Sequence, residues 1–157
     1  MTLPWHGRAK FRALIMFIVS AIRNDRMGLG HYGARRGSRT HKGIDFIAEQ
    51  GSTVYAIADG EVTKIGYCYA DDLKYRYVQI RDSLDGLDLR YFYTTLHSSL
   101  NVGSWIRKGQ ALCVVQNIAV KHSTDKKTMI NHFHFEIKEA GKHINPVPYL
   151  KKTGIEL

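Results

Sequence analysis

Cysteine is scarce in this chain. Only Cys68 and Cys113 occur among the 157 residues, and they form no C-x-x-C pair. A zinc site built from cysteines is therefore excluded, and at most one disulfide can form. The length allows one domain with a hydrophobic core and is too short for two comfortable ones. We expect a single domain, and we expect a monomer.

Long apolar runs are also absent. The run ALIMFIVSA, residues 13–21, is too short to span a bilayer as a helix. Because a basic stretch at residues 6–12 precedes it and small residues end it, the pattern favours a secretory signal peptide over an N-terminal helix. We therefore predict a signal peptide or N-terminal helix over residues 1–21, a domain over 22–152 and a tail over 153–157. A signal peptide would imply a periplasmic or extracellular location.

Acidic residues are in deficit, with 14 Asp and Glu against 23 Lys and Arg, so the net charge is +9. This charge favours an anionic partner such as a cell wall, nucleic acid or an anionic membrane surface, without choosing among them. Nucleic acid is not expected, because the basic run Arg35, Arg36, Arg39 and Lys42 has neither a recognition-helix pattern nor an aromatic stacking series.

The chain from residue 45 onward is rich in short β-branched and aromatic runs. Turn-forming residues separate seven of them: IDFIA, STVYAIA, GEVTKIGYCYA, YRYVQIRD, LRYFYTTL, WIRKGQALCVVQ and HFHFEIK. This spacing predicts a mainly β fold, a compact antiparallel sheet or sandwich. The polar segment at residues 119–129 lacks periodicity and is predicted to be a long loop at one end of the sheet, with His122 in it.

Two histidines lie one residue apart in the last of these runs. Side chains at i and i+2 of a strand point to one face, so His132 and His134 share a face while Phe133 and Phe135 share the other. The phenylalanines can enter the core. Two imidazoles then face the same cleft, where one could ligate a metal and its neighbour could transfer protons.

A second cluster lies upstream, where His41 and Asp45 are separated by three residues that include Gly43. We expect this glycine to permit a bend that lets the two side chains converge. A histidine and a carboxylate form a normal half-set of zinc ligands, and one histidine of the later strand would complete a two-histidine, one-carboxylate site. Three protein ligands leave a position for water, whose pKa zinc lowers to about 7. The pattern therefore indicates Zn²⁺ and hydrolysis.

With these motifs, the chain resembles the lysostaphin-type zinc metallopeptidases, which cut peptide bonds in peptidoglycan. The similar segments are GARRGSRTHKGIDF, GSTVYAIADGEVTKIG, VGSWIRKGQAL, NHFHFEI and GKHINPVPYL. The resemblance implies the lysostaphin-type fold, zinc held by His41, Asp45 and His134, and a catalytic His132 near the water and the oxyanion. It also implies a cell-wall peptide or polymer as partner.

One position departs from the family pattern. Active members usually carry another catalytic histidine in a Y-x-H-L segment, and here YTTLHSSL places Thr95 at that site. His97 lies two residues on and would share a face with Thr95 if the strand continued, displaced by roughly 7 Å at about 3.3 Å per residue. A bulge could close that gap, so His97 is a candidate second catalytic histidine.

A narrower likeness leaves a second function open. The segment IRNDRMGLGHYGARRGSRTHKGID is similar to the branch of leukocyte cell-derived chemotaxin-2, which shares the fold but is regarded as a non-peptidase zinc protein. The residues that carry this likeness are Ile22, Arg23, Asp25, Arg26, Gly28, Gly30 and Tyr32. The alternative is therefore a catalytically silent zinc-containing module that binds wall peptide or a protein partner.

Overall fold

The computed structural model describes residues 21–157. The signal peptide or N-terminal helix predicted over residues 1–21 therefore lies outside the described residues, apart from Ala21. Within the described part, strands dominate. They are β1 Asn24–Asp25, β2 Gly28–Leu29, β3 Arg35–Arg36, β4 Arg39–Thr40, β5 Ile44–Ile47, β6 Thr53–Tyr55, β7 Gly60–Tyr67, β8 Arg76–Asp82, β9 Asp88–Phe92, β10 Thr94–Leu96, β11 Trp105–Ile106, β12 Ala111–Val115, β13 His132–Glu139 and β14 Lys142–Ile144. The helices described are α1 Ala119–His122 and α2 Pro146–Lys152.

The larger sheet has seven strands in the order β11-β7-β8-β9-β13-β14, and β5 also pairs with β13. All pairings in it are antiparallel. The strand β13 pairs with β9 along one edge, while its other edge pairs with β5 at residues 132–135 and with β14 at residues 137–139. The predicted mainly β, antiparallel fold is confirmed, and β13 lies at its centre.

The two faces of β13 carry different kinds of side chains. Phe133 and Phe135 are fully buried in the hydrophobic core. His132, His134 and Glu136 alternate with them and therefore occupy the opposite face. His132 and His134 line one cavity together, which confirms the prediction that the two histidines share a face.

The smaller sheet has three strands in the order β10-β12-β6. The run LRYFYTTL, predicted as one strand, forms two, because Tyr93 has a positive φ of 62°. Residues before Tyr93 pair with β13 in the larger sheet, and residues after it pair with β12 in the smaller one. The run WIRKGQALCVVQ likewise divides into β11 and β12 around Gly109, whose φ is 87°. Tyr93 is therefore the point where the chain passes between the sheets.

Buried apolar side chains of both sheets form one core cluster. Leu89 and Tyr91 enter it from the larger sheet, and Val54 and Leu112 from the smaller one. Ile155, in the segment predicted as a tail, is 2% exposed and also packs in this cluster. Cys68 and Cys113 are both free. Within residues 21–157, no helix has the length and apolar character needed to cross a membrane.

Hydrogen bonds hold the polar segment before β13 in place at both of its ends. Its first residues form α1, where the Ala119 amide donates to Asn131 Oδ1 at 3.1 Å. The Ile130 amide donates to Asp25 Oδ2 at 2.8 Å. The predicted loop therefore contains one helical turn, and its position relative to the larger sheet is fixed by side-chain hydrogen bonds.

Candidate metal centre and active site

Three potential metal ligands converge beside β13, and we call them the ligand cluster: His41, Asp45 and His134. Asp45 on β5 lies directly opposite His134 on β13 in the antiparallel register. The Asp45 Oδ1 atom lies 2.9 Å from His134 Nδ1 and 3.1 Å from His41 Nε2. The two histidine nitrogens are 3.1 Å apart. The structure thus brings together the three residues that the sequence singled out as ligands.

In each member of the ligand cluster, the polar atom that points away from the other two ligands contacts another residue. His41 Nδ1 lies 2.9 Å from the carbonyl oxygen of His31, which can only accept, so Nδ1 carries the proton and Nε2 is free to ligate. Asp45 Oδ2 accepts from the Arg23 guanidinium at 3.1 and 3.2 Å. His134 Nε2 faces the Glu136 carboxylate, 3.7 Å away. The three inward-facing atoms are therefore pre-oriented toward a common point.

This donor set fits a zinc ion. Zinc bonds of about 2.0 to 2.1 Å at tetrahedral angles place neighbouring ligand atoms about 3.3 Å apart. The observed separations of 2.9 to 3.1 Å are close to that value. Two imidazole nitrogens and one carboxylate oxygen are also a known catalytic zinc combination, with three protein ligands and an open position. The geometry therefore accommodates a metal ion, and its ligand types favour zinc.

Charge within the metal-free cluster is strongly coupled. Burial raises the pKa of Asp45, but hydrogen bonds with His134 and His41 outweigh it and hold this pKa well below its usual range. Burial lowers the pKa of His134, but hydrogen bonds with Asp45 and Glu136 outweigh it and raise this pKa to about 9. Without a metal ion, His134 is therefore protonated at neutral pH, and a bound cation would replace this proton.

Gly43 lies at a bend, as predicted, and it is required for a second reason as well. A Cβ at this position would lie 2.7 Å from His134 Cε1 and would collide with the Phe135 carbonyl oxygen. The backbone of the segment between His41 and Asp45 therefore packs directly against the His134 ring. This close approach explains why the residue at the bend is a glycine.

His132 lines the same cavity as the ligand cluster, a space of about 200 Å³ that we call the site cavity. Its Nδ1 lies 2.8 Å from the Ile130 carbonyl oxygen, so Nδ1 carries the proton and Nε2 is left as an acceptor. Burial lowers the pKa of His132 below its usual value. His132 is therefore a neutral imidazole with a bare nitrogen beside the ligand cluster.

The site cavity also contains residues that sequence reasoning missed. Arg23 was noted only for the narrower likeness, and His122 was expected to lie in a loop. The further lining residues are Arg23, Met27, Arg36, Tyr93, Ile118, His122 and Met129. Tyr93 had an indirect signal in its place at the start of the Y-x-H-L-like segment. His143, on β14, contacts Glu136 Oε2 through its Nε2.

The structure does not bring His97 to the site cavity. His97 and Thr95 line a different cavity, together with residues such as Ile65 and Leu100. His97 Nδ1 is 2.7 Å from Ser99 Oγ. The positive φ of Tyr93 moves the following residues into the smaller sheet, which places His97 away from the ligand cluster.

Comparison with known proteins gives a family match. Residues 39–146, more than half of the chain, match the model of Peptidase family M23. An uncharacterized metalloprotease of Haemophilus influenzae is 32% identical over 110 residues, which are 69% of this chain and 21% of that protein. The murein hydrolase activator NlpD of Salmonella typhimurium is 29% identical over 120 residues, 76% of this chain and 28% of that one. The chain thus spans between a fifth and a third of the length of these relatives.

A solved structure shares the fold. The antimicrobial peptidase lysostaphin from Staphylococcus simulans superposes with a TM-score of 0.63 at 21% identity. The match covers 86% of this chain and 52% of that chain. It agrees with the predicted lysostaphin-type fold.

Proposed function

The chain belongs to peptidase family M23, and from this premise we propose that it is a zinc-dependent endopeptidase that hydrolyses peptide bonds in peptidoglycan. One observation carries the proposal: three ligand atoms, of His41, Asp45 and His134, lie 2.9 to 3.1 Å apart beside a neutral His132 that faces the same cavity. A structural zinc site would need no such additional imidazole.

His41, Asp45 and His134 would hold the ion. When bound, Zn²⁺ would polarise the scissile carbonyl and lower the pKa of a water molecule to about 7. Despite burial, hydrogen bonds with His134 and His41 keep the pKa of Asp45 well below its usual range, and Arg23 engages Asp45 Oδ2, which leaves Oδ1 for the ion. The residues around the cluster therefore fix which atoms ligate, before any ion arrives.

His132 is the proposed catalytic base and acid. Its bare Nε2 accepts a proton from the attacking water as the new carbon–oxygen bond forms. The same nitrogen then returns the proton to the leaving amine as the carbon–nitrogen bond breaks. The Ile130 carbonyl, which accepts from Nδ1, holds the ring in the tautomer that this transfer needs.

The charge distribution supports an anionic polymer as substrate. A second cavity of about 610 Å³ adjoins His41 and is lined by the side chains of Arg36, Arg39 and Lys42. Such a basic surface would attract carboxylate-bearing wall peptides or an anionic wall polymer. One relative is named a murein hydrolase activator and one structural neighbour an antimicrobial peptidase. Action on a cell wall implies a periplasmic or extracellular location for this chain.

A catalytically silent zinc-containing module is the second candidate. The observation that favours it is Thr95, which stands where active relatives usually carry a histidine and is exposed on the smaller sheet. In this case the domain would bind wall peptide or a protein partner without cleaving it. The likeness to the chemotaxin-2 branch remains a prediction.

Release of soluble peptides from purified peptidoglycan by the zinc-loaded protein tests the proposal. The parent protein is expected to release fragments and the His132→Ala variant is not, with one zinc ion bound to each. Absence of release from several wall types by a parent that still holds zinc would contradict the endopeptidase and support the silent module.

A further inference from the structure

The chain has a threonine at position 95, where the resemblance predicts a catalytic histidine, so another residue would have to assist the reaction. Thr95 is exposed and lines two cavities, neither of which contains the ligand cluster. His97 lines one of the same two cavities. The non-ligand residues that line the site cavity with His132 include two with hydroxyl or imidazole groups, Tyr93 and His122.

Tyr93 adopts a conformation that an aromatic residue rarely takes. Its φ of 62° lies in the left-handed region, which is a genuine outlier for a bulky side chain. Such strain concentrates at functional sites, where the surrounding structure maintains it. Here the strained backbone lies at the junction of the two sheets, and the Tyr93 ring contacts the His132 ring edge-on at 5.6 Å between centroids. The strain thus holds a phenol beside the proposed catalytic imidazole.

A hydrogen-bonded chain leads away from the Tyr93 hydroxyl. The Tyr69 hydroxyl donates to the Tyr93 oxygen at 3.3 Å, and the Tyr69 oxygen lies 2.8 Å from His122 Nε2. In the tautomer of His122 that carries its proton on Nε2, His122 donates to Tyr69 and Tyr69 donates to Tyr93. The proton of Tyr93 is then directed away from Tyr69. Successive hydrogen bonds of this kind polarise one another. Burial also raises the pKa of Tyr93, so the phenol keeps its proton.

His122 is held in place by its own neighbours. Lys121 Nζ donates to Asp72 Oδ2 at 3.0 Å and lies 4.7 Å from the centroid of the Tyr69 ring. The Ala119 amide is bound by Asn131, the residue immediately before His132. The one-turn helix α1 is therefore fixed both to the tyrosines and to the strand that carries the catalytic histidine.

We propose that the Tyr93 hydroxyl, oriented through Tyr69 by His122, donates a hydrogen bond to the oxyanion that develops on the attacked carbonyl. Tyr93 would then supply the second stabilising group that the resemblance assigns to a histidine at position 95. Tyr69 and His122 are positioning residues in this arrangement. No bond is made or broken in this step, since the phenol keeps its proton. The inference rests on the proposed endopeptidase function and deepens it.

The test compares Tyr93→Phe with a matched control, Tyr91→Phe, which removes a hydroxyl two residues away in the core. The substrate is the shortest soluble wall peptide that the parent protein cleaves. Removing an oxyanion donor lowers kcat by about 10²-fold or more, and we expect that loss with KM, zinc content and thermal midpoint unchanged. The control is expected to match the parent. Calorimetry with the same peptide carrying a phosphinate at the scissile bond should show weaker binding to Tyr93→Phe only.

The positioning role of His122 requires a separate readout. His122→Ala removes a donor to Tyr69 and should lower kcat about five- to tenfold, the size expected for one hydrogen bond. His122→Gln retains an N–H donor and should recover most of the loss. If His122 acts through Tyr93, the double variant Tyr93→Phe/His122→Ala will be no slower than Tyr93→Phe alone. Additive losses would overturn the positioning role.

The outcomes separate this inference from the function on which it rests. A parent protein that binds zinc and cleaves no wall peptide contradicts the endopeptidase, and the role of Tyr93 falls with it. An active parent with an equally active Tyr93→Phe, and equal phosphinate affinity, overturns the Tyr93 inference alone.

Discussion

Asp45 and His134 lie directly opposite each other on adjacent antiparallel strands, with Oδ1 and Nδ1 2.9 Å apart. Their separation is therefore set by the register of the sheet and not by a loop. His41, four residues before Asp45, is the only member of the ligand cluster outside a strand. Rigid elements hold a site more precisely than loops do, so two of the three ligands are fixed by the fold itself.

The two histidines of β13 should respond differently to substitution. His134→Ala removes a ligand and is expected to leave the purified protein without stoichiometric zinc. His132→Ala removes no ligand, so one zinc ion per chain should remain while peptide release stops. Metal content by mass spectrometry and release from peptidoglycan provide the two measurements. Loss of zinc from both variants would contradict the separate roles.

Arg23 is expected to be essential for stability. It is 3% exposed and pairs with both Asp25 and Asp45, whose side chains are 6% and 4% exposed. Arg23→Met removes the guanidinium that pairs with both buried carboxylates, and breaking a buried pair in this way costs about 3 to 5 kcal/mol. Urea unfolding of the metal-free protein measures the effect. The control is Arg81→Met, which breaks an exposed pair with Asp88 and should cost about 1 kcal/mol or less.

Zinc uptake should release a proton. The pKa of His134 is raised to about 9 in the metal-free protein, while a zinc ligand must be neutral. At pH 7 the ion therefore displaces a proton, and affinity should rise about tenfold per pH unit until about pH 9. Calorimetry in two buffers of different ionisation enthalpy counts the protons. His132→Ala should release the same number, and uptake without proton release would contradict the protonated His134.

The stability of the metal-free fold changes with pH in the direction opposite to the zinc affinity. Because the folded pKa of His134 lies above its unfolded value of about 6.5, the proton stabilises the metal-free fold fully below that value. This contribution is lost as the pH rises through about 9. Raising the pH therefore weakens the metal-free fold while it strengthens zinc binding.

Gly43 should tolerate no side chain. Gly43→Ala would place a Cβ 2.7 Å from the His134 ring, so either the ring or the strand must move. We expect weaker zinc binding and a lower unfolding midpoint. Gly51→Ala is the matched control: its Cβ meets open space but its φ is 85°, so it should cost about 1 to 2 kcal/mol and leave zinc bound. Equal zinc affinity in the two variants would show that the contact with His134 does not matter.

His97 offers a direct comparison between the sequence-based expectation and the structure. Its side chain lines a cavity separate from the ligand cluster. His97→Ala should therefore leave peptide release within about twofold of the parent, as for a surface substitution. A loss comparable to that of His132→Ala would restore His97 as a catalytic residue and require the smaller sheet to move.

Local patterns were sufficient to identify much of this site. Strict alternation in HFHFEI placed His132 and His134 on one face, and the spacing from His41 to Asp45 indicated the other two ligands. Both inferences use periodicity within a few residues. The break between two strands at Tyr93 could not be predicted in this way. The run around Tyr93 alternates like one strand, and no local pattern indicates a positive φ at a tyrosine.

The remaining members of the site come from long-range contacts. Arg23 reaches Asp45 across 22 residues of sequence, and His122 reaches Tyr69 across 53. His122 lies in a polar segment with no periodicity, so its position depends on anchors such as Asn131 and Asp72. Such anchors become apparent only once the sheet has assembled.

The position of β13 between three strands has a consequence for the order in which the molecule opens. A strand that is hydrogen-bonded along both edges and buried on both faces exchanges its amide hydrogens only when the whole domain unfolds. We therefore expect His132 and His134 to lie on the slowest-exchanging strand of the protein, so that the ligand geometry persists until the domain unfolds.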